Sequence, residues 1–322
     1  MQNVEKAFLA LDIGGTKILA AAVSASGAVR TEVTETVLLS KGPRAFIEQI
    51  AQVGSRILKE VPCEAAGISS AGPVDPVSGA WIDATNFKTD GKGWGTVPFR
   101  DQLAQAWNLP VFVDNDSVCS AFAEHRWGAG QRASSFAVLT FGTGLGTAVL
   151  RDGKPVRAFG EMHAEISHWS LNESDAEAIC GCGNTGCAES YLSGTGFARR
   201  LTRVLGQPGT ALTGQDVVGL ARGGHPIVRA QFADFSSKLA RYAHDIILAF
   251  GVTRFILTGG FMAASPYFLE GARADLERLM ARRARPLGLP LEIIVSPLGH
   301  ESSLLGAAAL AQTKSQASDH IS

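Results

Sequence analysis

No stretch of this 322-residue sequence is apolar over enough residues to span a bilayer. The apolar run nearest the start, "AFLAL", is five residues long and follows both an acid and a base, which is too short for a secretory signal. Nor is there an excess of charge. The 29 Lys and Arg residues stand against 30 Asp and Glu, for a net charge of −1. That balance removes the electrostatic case for a nucleic acid or an anionic membrane as partner. Cysteine is scarce, five in all, and an odd count with no secretory signal argues against a disulfide framework. A cytoplasmic location is therefore expected, where clustered cysteines point to a metal or to catalysis. Short repeats and low-complexity linkers are also missing. No G-x-x-x-x-G-K-[ST] occurs, which excludes a Walker-type phosphate loop.

What is present is a globular pattern. The hydrophobic share is 46%, and the length suits two domains. "AFLALDIGG" and "ILAAAVS" read as a buried strand, a glycine turn and a second strand. Phe46, Ile47, Ile50, Val53 and Ile57 recur at helical spacing. "AAGISSAG" and "VFVDND" read as further strands, with a helix starting near Ser117 and stopping at "WGAG". The pattern then restarts. "SFAVLTFGTGLGTAVLRDG" is again strand, glycine turn, strand. A long helix from Pro226 follows, then the strand "RFILTGG", a helix from about Ser265, the strand "LEIIVSP" and a last helix from about Glu301. The tail "TKSQASDHIS" is polar and is expected to fray. Strands alternating with helices mean an α/β protein. Two halves that open alike suggest a duplication, with a cleft between the halves.

Three glycine turns carry the first functional signal. "DIGGTK" sets Asp12, Gly14, Gly15, Thr16 and Lys17 at a strand-to-strand turn. Glycines let the backbone approach a phosphate, successive amides make an anion nest, and Asp12 is placed to hold Mg²⁺. A plain hairpin turn is the bland alternative. "GTGLGT" repeats the device with Gly142, Thr143, Gly144 and Gly146, and "TGG" places Gly259 and Gly260 at the end of an apolar strand. Turns at the carboxyl ends of buried strands are where open α/β sheets bind ligands, so the three together point to a nucleotide. The literal G-x-G-x-x-G at Gly181–Gly186 follows no strand and is threaded with cysteines, so it is no dinucleotide fingerprint.

"AICGCGNTGCAES" holds Cys180, Cys182 and Cys187 within eight residues. Three soft ligands in one glycine-rich loop need a fourth to complete a tetrahedral Zn²⁺ site. His168 is the nearest histidine and His163 its competitor. Cys63 and Cys119 lie in apolar contexts and read as buried bystanders. A zinc deaminase, with H-x-E…P-C-x-x-C, is the rival reading of "HAE" followed by cysteines. Here the spacing is C-x-C, no proline precedes it, and a third cysteine closes the shell against a catalytic water. "VFVDNDS" ends an apolar strand with Asp114, Asn115 and Asp116. Asp116 reads either as a helix N-cap or as a general base near an acceptor hydroxyl.

Taken together, the chain resembles the ROK family of bacterial sugar kinases and repressors, within the actin–hexokinase superfamily. "DIGGTK" resembles its first phosphate loop, "GTGLG" its second, "VDND" its E-N-D catalytic segment, "HAEISH" its G-E-x-G-H segment and "CGCGNTGCAES" its C-x-C-G-x-x-G-C-x-E zinc loop. The resemblance implies a two-domain actin/hexokinase-like fold of duplicated ribonuclease H-like halves. Residues 1–117 would form a small domain completed by a C-terminal helix at about 301–314, and 118–300 a larger domain with the zinc loop. It implies Asp116 as the base that deprotonates a sugar 6-hydroxyl, with Asn86, Asn115, Glu165, His168 and Glu189 binding the sugar. It also implies Mg²⁺, ATP on the three glycine turns, and a structural Zn²⁺ held by His168, Cys180, Cys182 and Cys187. A homo-oligomer, dimer or tetramer, is the family's habit. Ala164 and Ser167 stand where that segment has glycines, Ala148 where a glycine is common, and Ala71 where a proline is. None of these removes a proposed chemical group, but the first two bear on which sugar fits. A hexose or N-acetylhexosamine kinase is thus expected. A repressor would need a DNA-reading module ahead of Asp12, and only eleven residues precede it here. A sugar-binding module without catalysis is disfavoured by Asp116 and both phosphate loops.

Overall fold

The computed structural model describes residues 5–84, 86–206 and 212–319. The chain divides into two compact units, one of Met1–Arg132, Pro155–Ala164 and Glu301–Ser322, the other of Ala133–Lys154 and Glu165–His300.

The first unit is built on β1 (Ala7–Ile13), β2 (Lys17–Ser24), β3 (Val29–Thr36) and β4 (Ala66–Ser70). Helix α1 (Gly42–Glu60) lies between β3 and β4 in sequence. Short strands β5 (Val74–Asp75), β6 (Ala80–Ile82), β7 (Lys88–Thr89), β8 (Lys92–Gly93) and β9 (Thr96–Pro98) follow, then α2 (Arg100–Trp107), β10 (Val111–Asn115) and α3 (Asp116–Trp127). The main sheet runs β10-β4-β1-β2-β3, with β2 antiparallel to β1 and β3, and β4 and β10 parallel to β1.

Strand β1 is apolar apart from Asp12 because both its faces are covered. Leu9, Leu11 and Ile13 pack in one core with Phe46, Ile50, Val53 and Ile57 of α1. Phe8 and Ala10 pack on the other side with Leu304, Ala307 and Ala311. Each such buried aliphatic or aromatic side chain contributes about 1.5–3 kcal/mol. On the second face the helix sits close, and a Cβ on Gly67 would overlap the Ala307 carbonyl. In the small sheets Trp81 stacks on Phe99 at 3.8 Å and meets Phe46, Phe87 and Trp94. This aromatic packing supports the turn that carries Asn86.

The second unit repeats the plan. Its sheet is made of β11 (Ser135–Phe141), β12 (Leu145–Arg151), β13 (Lys154–Pro155), β14 (Arg254–Thr258) and β15 (Glu292–Val295), in the order β13-β12-β11-β14-β15. β12 is antiparallel to β11, and β14 is parallel to both β11 and β15. Position by position this is the strand order of the first unit, as the duplicated pattern predicts. Its helices are α4 (Ala188–Leu192), α5 (Gly194–Val204), α6 (Gly214–Arg222), α7 (Pro226–Phe250) and α8 (Leu269–Leu287). The last helix, α9 (Ser302–Asp319), supplies the Leu304 and Ala307 face of the first unit.

Two boundaries and one strand differ from the sequence reading. The helix expected from Ser265 begins at Leu269, because Gly260–Tyr267 winds as a 3₁₀ helix that contains Pro266. The tail expected to fray stays helical to Asp319, and the last three positions of that tail lie outside the described residues. Strand β3 escapes the reading because its alternating exposed residues mark a polar sheet edge, not a buried run. Among the described residues, no helix is long and apolar enough to cross a membrane.

Candidate active site

In the first unit the candidate side chains gather at the carboxyl ends of β1, β4 and β10. The β1–β2 turn is closed by the Gly14 N–H donating to the Lys17 carbonyl at 3.0 Å, with Thr16 and Lys17 exposed beyond it. A Cβ on Gly15 would come within 3.8 Å of Asn86, so the exposed Asn86 stands beside this turn. Asp12 accepts from the Ser69 hydroxyl at 2.8 Å and the Ser303 hydroxyl at 2.9 Å. Burial raises its proton affinity, and those two donors oppose the rise.

Asn115 ends β10 and caps α3, its side-chain oxygen accepting from the Ser117 N–H at 2.9 Å. The N-cap is therefore Asn115, and Asp116 is the first residue of the helix. Asp116 opens the helix with one carboxylate oxygen on the Ser117 N–H at 2.7 Å and the Ser117 hydroxyl at 3.2 Å. Burial pushes Asp116 up to about 6, and the Asp12 carboxylate adds to the rise. The field of His163 and the Ser117 hydrogen bonds act the other way. The carboxylate is thus basic enough to hold a proton yet mostly ionised near neutral pH.

Asp114 is buried and takes a two-pronged grip from Arg157, with Nη1 to Oδ1 at 2.9 Å and Nη2 to Oδ2 at 2.5 Å. Arg157 is absent from the sequence reading because nothing local marks it; the partners lie 43 residues apart. An acid at the end of a buried strand is the one available signal, since a buried charge needs a partner.

In the second unit the cysteine loop closes on His168, not on its competitor His163. The Sγ atoms of Cys180, Cys182 and Cys187 and a ring nitrogen of His168 all lie within 4.8 Å of one another. Cys182 Sγ is 3.8 Å from Cys187 Sγ, and Cys180 Sγ is 3.4 Å from His168 Nδ1. Tetrahedral Zn²⁺ at ordinary bond lengths sets its ligand atoms about 3.5–3.8 Å apart, so the donor set fits that ion. Burial and the nearby Glu189 carboxylate push the Cys180 thiol up, a penalty that a dication would offset.

The expected sugar ligands of this unit meet the same cluster. Glu189 Oε1 accepts from Cys180 Sγ at 3.3 Å, and its Oε2 accepts from the Leu145 N–H at 3.1 Å. Glu189 thereby ties the cysteine loop to the Gly142–Gly146 turn, and a Cβ on Gly144 would press on its Oε2 at 2.7 Å. Glu165 Oε2 lies 3.6 Å from His168 Nε2. Of the two departures from the family segment, Ala164 directly precedes Glu165 and Ser167 directly precedes His168.

The third glycine turn borders a cavity of about 280 Å³ at the carboxyl ends of β14 and β15. Thr258, Gly259, Gly260, Met262, Ser296 and His300 are among its lining residues. Gly259 has φ +100°, and a Cβ there would overlap the Phe141 carbonyl, so the chain can pass here only as glycine.

Comparison with known proteins identifies the family. The ROK family model matches residues 8–314. The glucokinase of Streptomyces coelicolor is 29% identical over 326 residues, covering 94% of this chain and 97% of that one. The N-acetylmannosamine kinase of Escherichia coli is 29% identical over 307 residues, covering 94% and 98%. A crystal structure of a ROK family glucokinase from Streptomyces griseus, in complex with glucose and AMPPNP, has 27% identity and a TM-score of 0.80, covering 95% of this chain and 99% of that one. A strand order repeated in two units and a family match that spans nearly all of both lead to one conclusion: this chain belongs to the ROK family and has its actin/hexokinase-like α/β fold.

Proposed function

We propose that this protein transfers the γ-phosphoryl group of ATP to the 6-hydroxyl of a hexose or N-acetylhexosamine. The observation that carries the reading is Asp116, held at the carboxyl end of β10 with a proton affinity raised to about 6. Such a carboxylate accepts the hydroxyl proton as the new O–P bond forms and the bond to the leaving ADP breaks. Asn86 and Asn115 are assigned to sugar hydroxyls on the first unit. Glu165, His168 and Glu189 are assigned to hydroxyls near the anomeric carbon. The turns at Gly14–Thr16 and Gly142–Gly146 are assigned to the phosphates, through backbone amides and the Thr16 and Thr143 hydroxyls. The cavity beside Gly259 and Gly260 suits the nucleoside, with Met262 offering an apolar wall.

Asp12 is the residue assigned to Mg²⁺, which when bound neutralises charge on the transferring phosphate. His168, Cys180, Cys182 and Cys187 are assigned to Zn²⁺, whose part is to fix the loop that carries Glu189.

The names of the relatives make glucose the first sugar to try and N-acetylmannosamine the second. The test is product analysis by ³¹P NMR after incubation with Mg-ATP and each of glucose, mannose, N-acetylglucosamine and N-acetylmannosamine. A sugar 6-phosphate supports the reading. ATP left intact with every sugar overturns it.

A further inference from the structure

Arg157 and Asp114 have so far served only as a paired buried charge. The contacts of Asp114 go further. Its Oδ1 accepts from Arg157 Nη1 and also from the backbone N–H of Asn115, each at 2.9 Å. Its Oδ2 takes the second prong of the guanidinium at 2.5 Å. Two parallel hydrogen bonds fix the plane of a carboxylate as well as its place. The Asn115 N–H is therefore held by an oxygen that cannot turn away.

From Asn115 the contacts run on without a gap. Its side-chain nitrogen donates to the Gly72 carbonyl at 3.5 Å, and its side-chain oxygen accepts from the Ser117 N–H at 2.9 Å. The same Ser117 N–H donates to Asp116 Oδ1 at 2.7 Å. Asn115 and Asp116 thus share one amide, so a rotation of the Asn115 peptide moves both side chains. Neutralising Asp114 would take a single cation anywhere nearby. Here the cation is a planar fork brought by a separate segment, and that segment is itself fixed. Arg157 pairs with His163 across an antiparallel bridge, and the Ala158 N–H donates to the Met162 carbonyl at 2.8 Å. A supporting contact of this kind decides whether the groups it backs stand in line for reaction.

We propose that Arg157 is a positioning residue: through Asp114 it sets the peptide of Asn115, and so aims Asn115 and the Asp116 carboxylate at the acceptor sugar. This rests on the kinase reading above.

The test compares wild type, Arg157→Lys, Arg157→Met, and Arg157→Met combined with Asp114→Asn, all as full chains. It follows kcat, the thermal midpoint, and Kd by calorimetry for AMPPNP and for glucose or N-acetylmannosamine, whichever the wild type binds tighter. The combined variant leaves no buried charge unpaired, so its midpoint should return close to wild type. Its kcat should nonetheless stay roughly 10- to 100-fold low, the usual result of a reacting group out of line. Its sugar Kd should weaken about three- to tenfold. Its AMPPNP Kd should stay within about twofold, because the phosphate turns are untouched. Arg157→Lys keeps the charge opposite Asp114 but not the fork, so it should fold and still lose about tenfold in kcat. Wild-type kcat and sugar Kd in the combined variant overturn the inference and leave Arg157 as a counter-charge alone. Wild-type kcat in Arg157→Lys overturns it too, and decides the matter if the combined variant melts early. Equal losses of sugar and AMPPNP affinity mark a general distortion and also overturn it. A wild type that binds sugar but transfers nothing defeats the kinase reading instead, and the sugar Kd series then still reads the hold on Asn115.

Discussion

Replacing Asp116 by Asn should abolish most turnover and at the same time make the protein more stable. The two effects share one cause. The carboxyl is held at about 6 against an ordinary 3.8, so ionising it in the folded state is disfavoured by burial and by Asp12. A rise of that size corresponds to about 3 kcal/mol of lost stability once the group is ionised. Asp116 is half-buried and water screens part of the penalty, so the expected gain for Asn is about 1–3 kcal/mol. For a unit of this size that is about 3–10 °C in thermal midpoint. The sign depends on pH. The folded value lies above the unfolded one, so the wild type carries the full penalty above about pH 6 and sheds it as pH falls towards 3.8. The variant never carries it. Calorimetric melts at pH 8, 6 and 5 should therefore show the stability gap narrowing as pH falls. Turnover at pH 8 should drop about 10²–10⁴-fold, the usual worth of a general base. A variant less stable than wild type at pH 8, or a gap independent of pH, would refute the placement of a half-buried, charge-crowded base at this position.

Other consequences can be checked with single substitutions. Cys182→Ser should lose bound zinc by atomic emission and melt earlier, since metal binding and folding of the loop are linked; full metal content would remove the Cys₃His assignment. Arg157→Met leaves Asp114 charged and buried, which should cost about 3–5 kcal/mol in urea unfolding, and adding Asp114→Asn should restore much of it. Additive losses in the double variant would show that the pair is not coupled. Gly259→Ala forces φ +100° on a residue with a Cβ and overlaps the Phe141 carbonyl, so at least about 2 kcal/mol of stability should go, with a higher KM for ATP. A wild-type melt would disprove the close approach.

How much of this was legible in the sequence depends on how local each signal is. The glycine turn after Asp12 and its repeat at Gly142–Gly146 lie between apolar runs, and periodicity alone places them at strand ends. Cys180, Cys182 and Cys187 sit within one loop, so their clustering is visible without a structure. His168 is twelve residues away from Cys180, and choosing it over His163 rested on proximity. The structure agrees because the 3₁₀ turn Ile166–His168 delivers the ring to the thiols. Partners that meet only through the sheet left no trace. Ser303 reaches Asp12 from 291 positions away, and Arg157 reaches Asp114 from another segment. Asp116 showed the limit most clearly. An acid before a helix reads equally as cap or base; the structure puts the cap at Asn115, and the base is decided by turnover, not by geometry. Boundaries failed where the chain departs from regular geometry, as at the 3₁₀ winding with Pro266.

The decisive experiment is to follow ADP release by the purified protein with Mg-ATP across a panel of hexoses and N-acetylhexosamines, wild type beside Asp116→Asn. Release that requires one of these sugars, and is lost in a variant that still binds that sugar by calorimetry, is the predicted result. Release indifferent to every sugar, or equal in the two proteins, would contradict a sugar kinase whose base is Asp116.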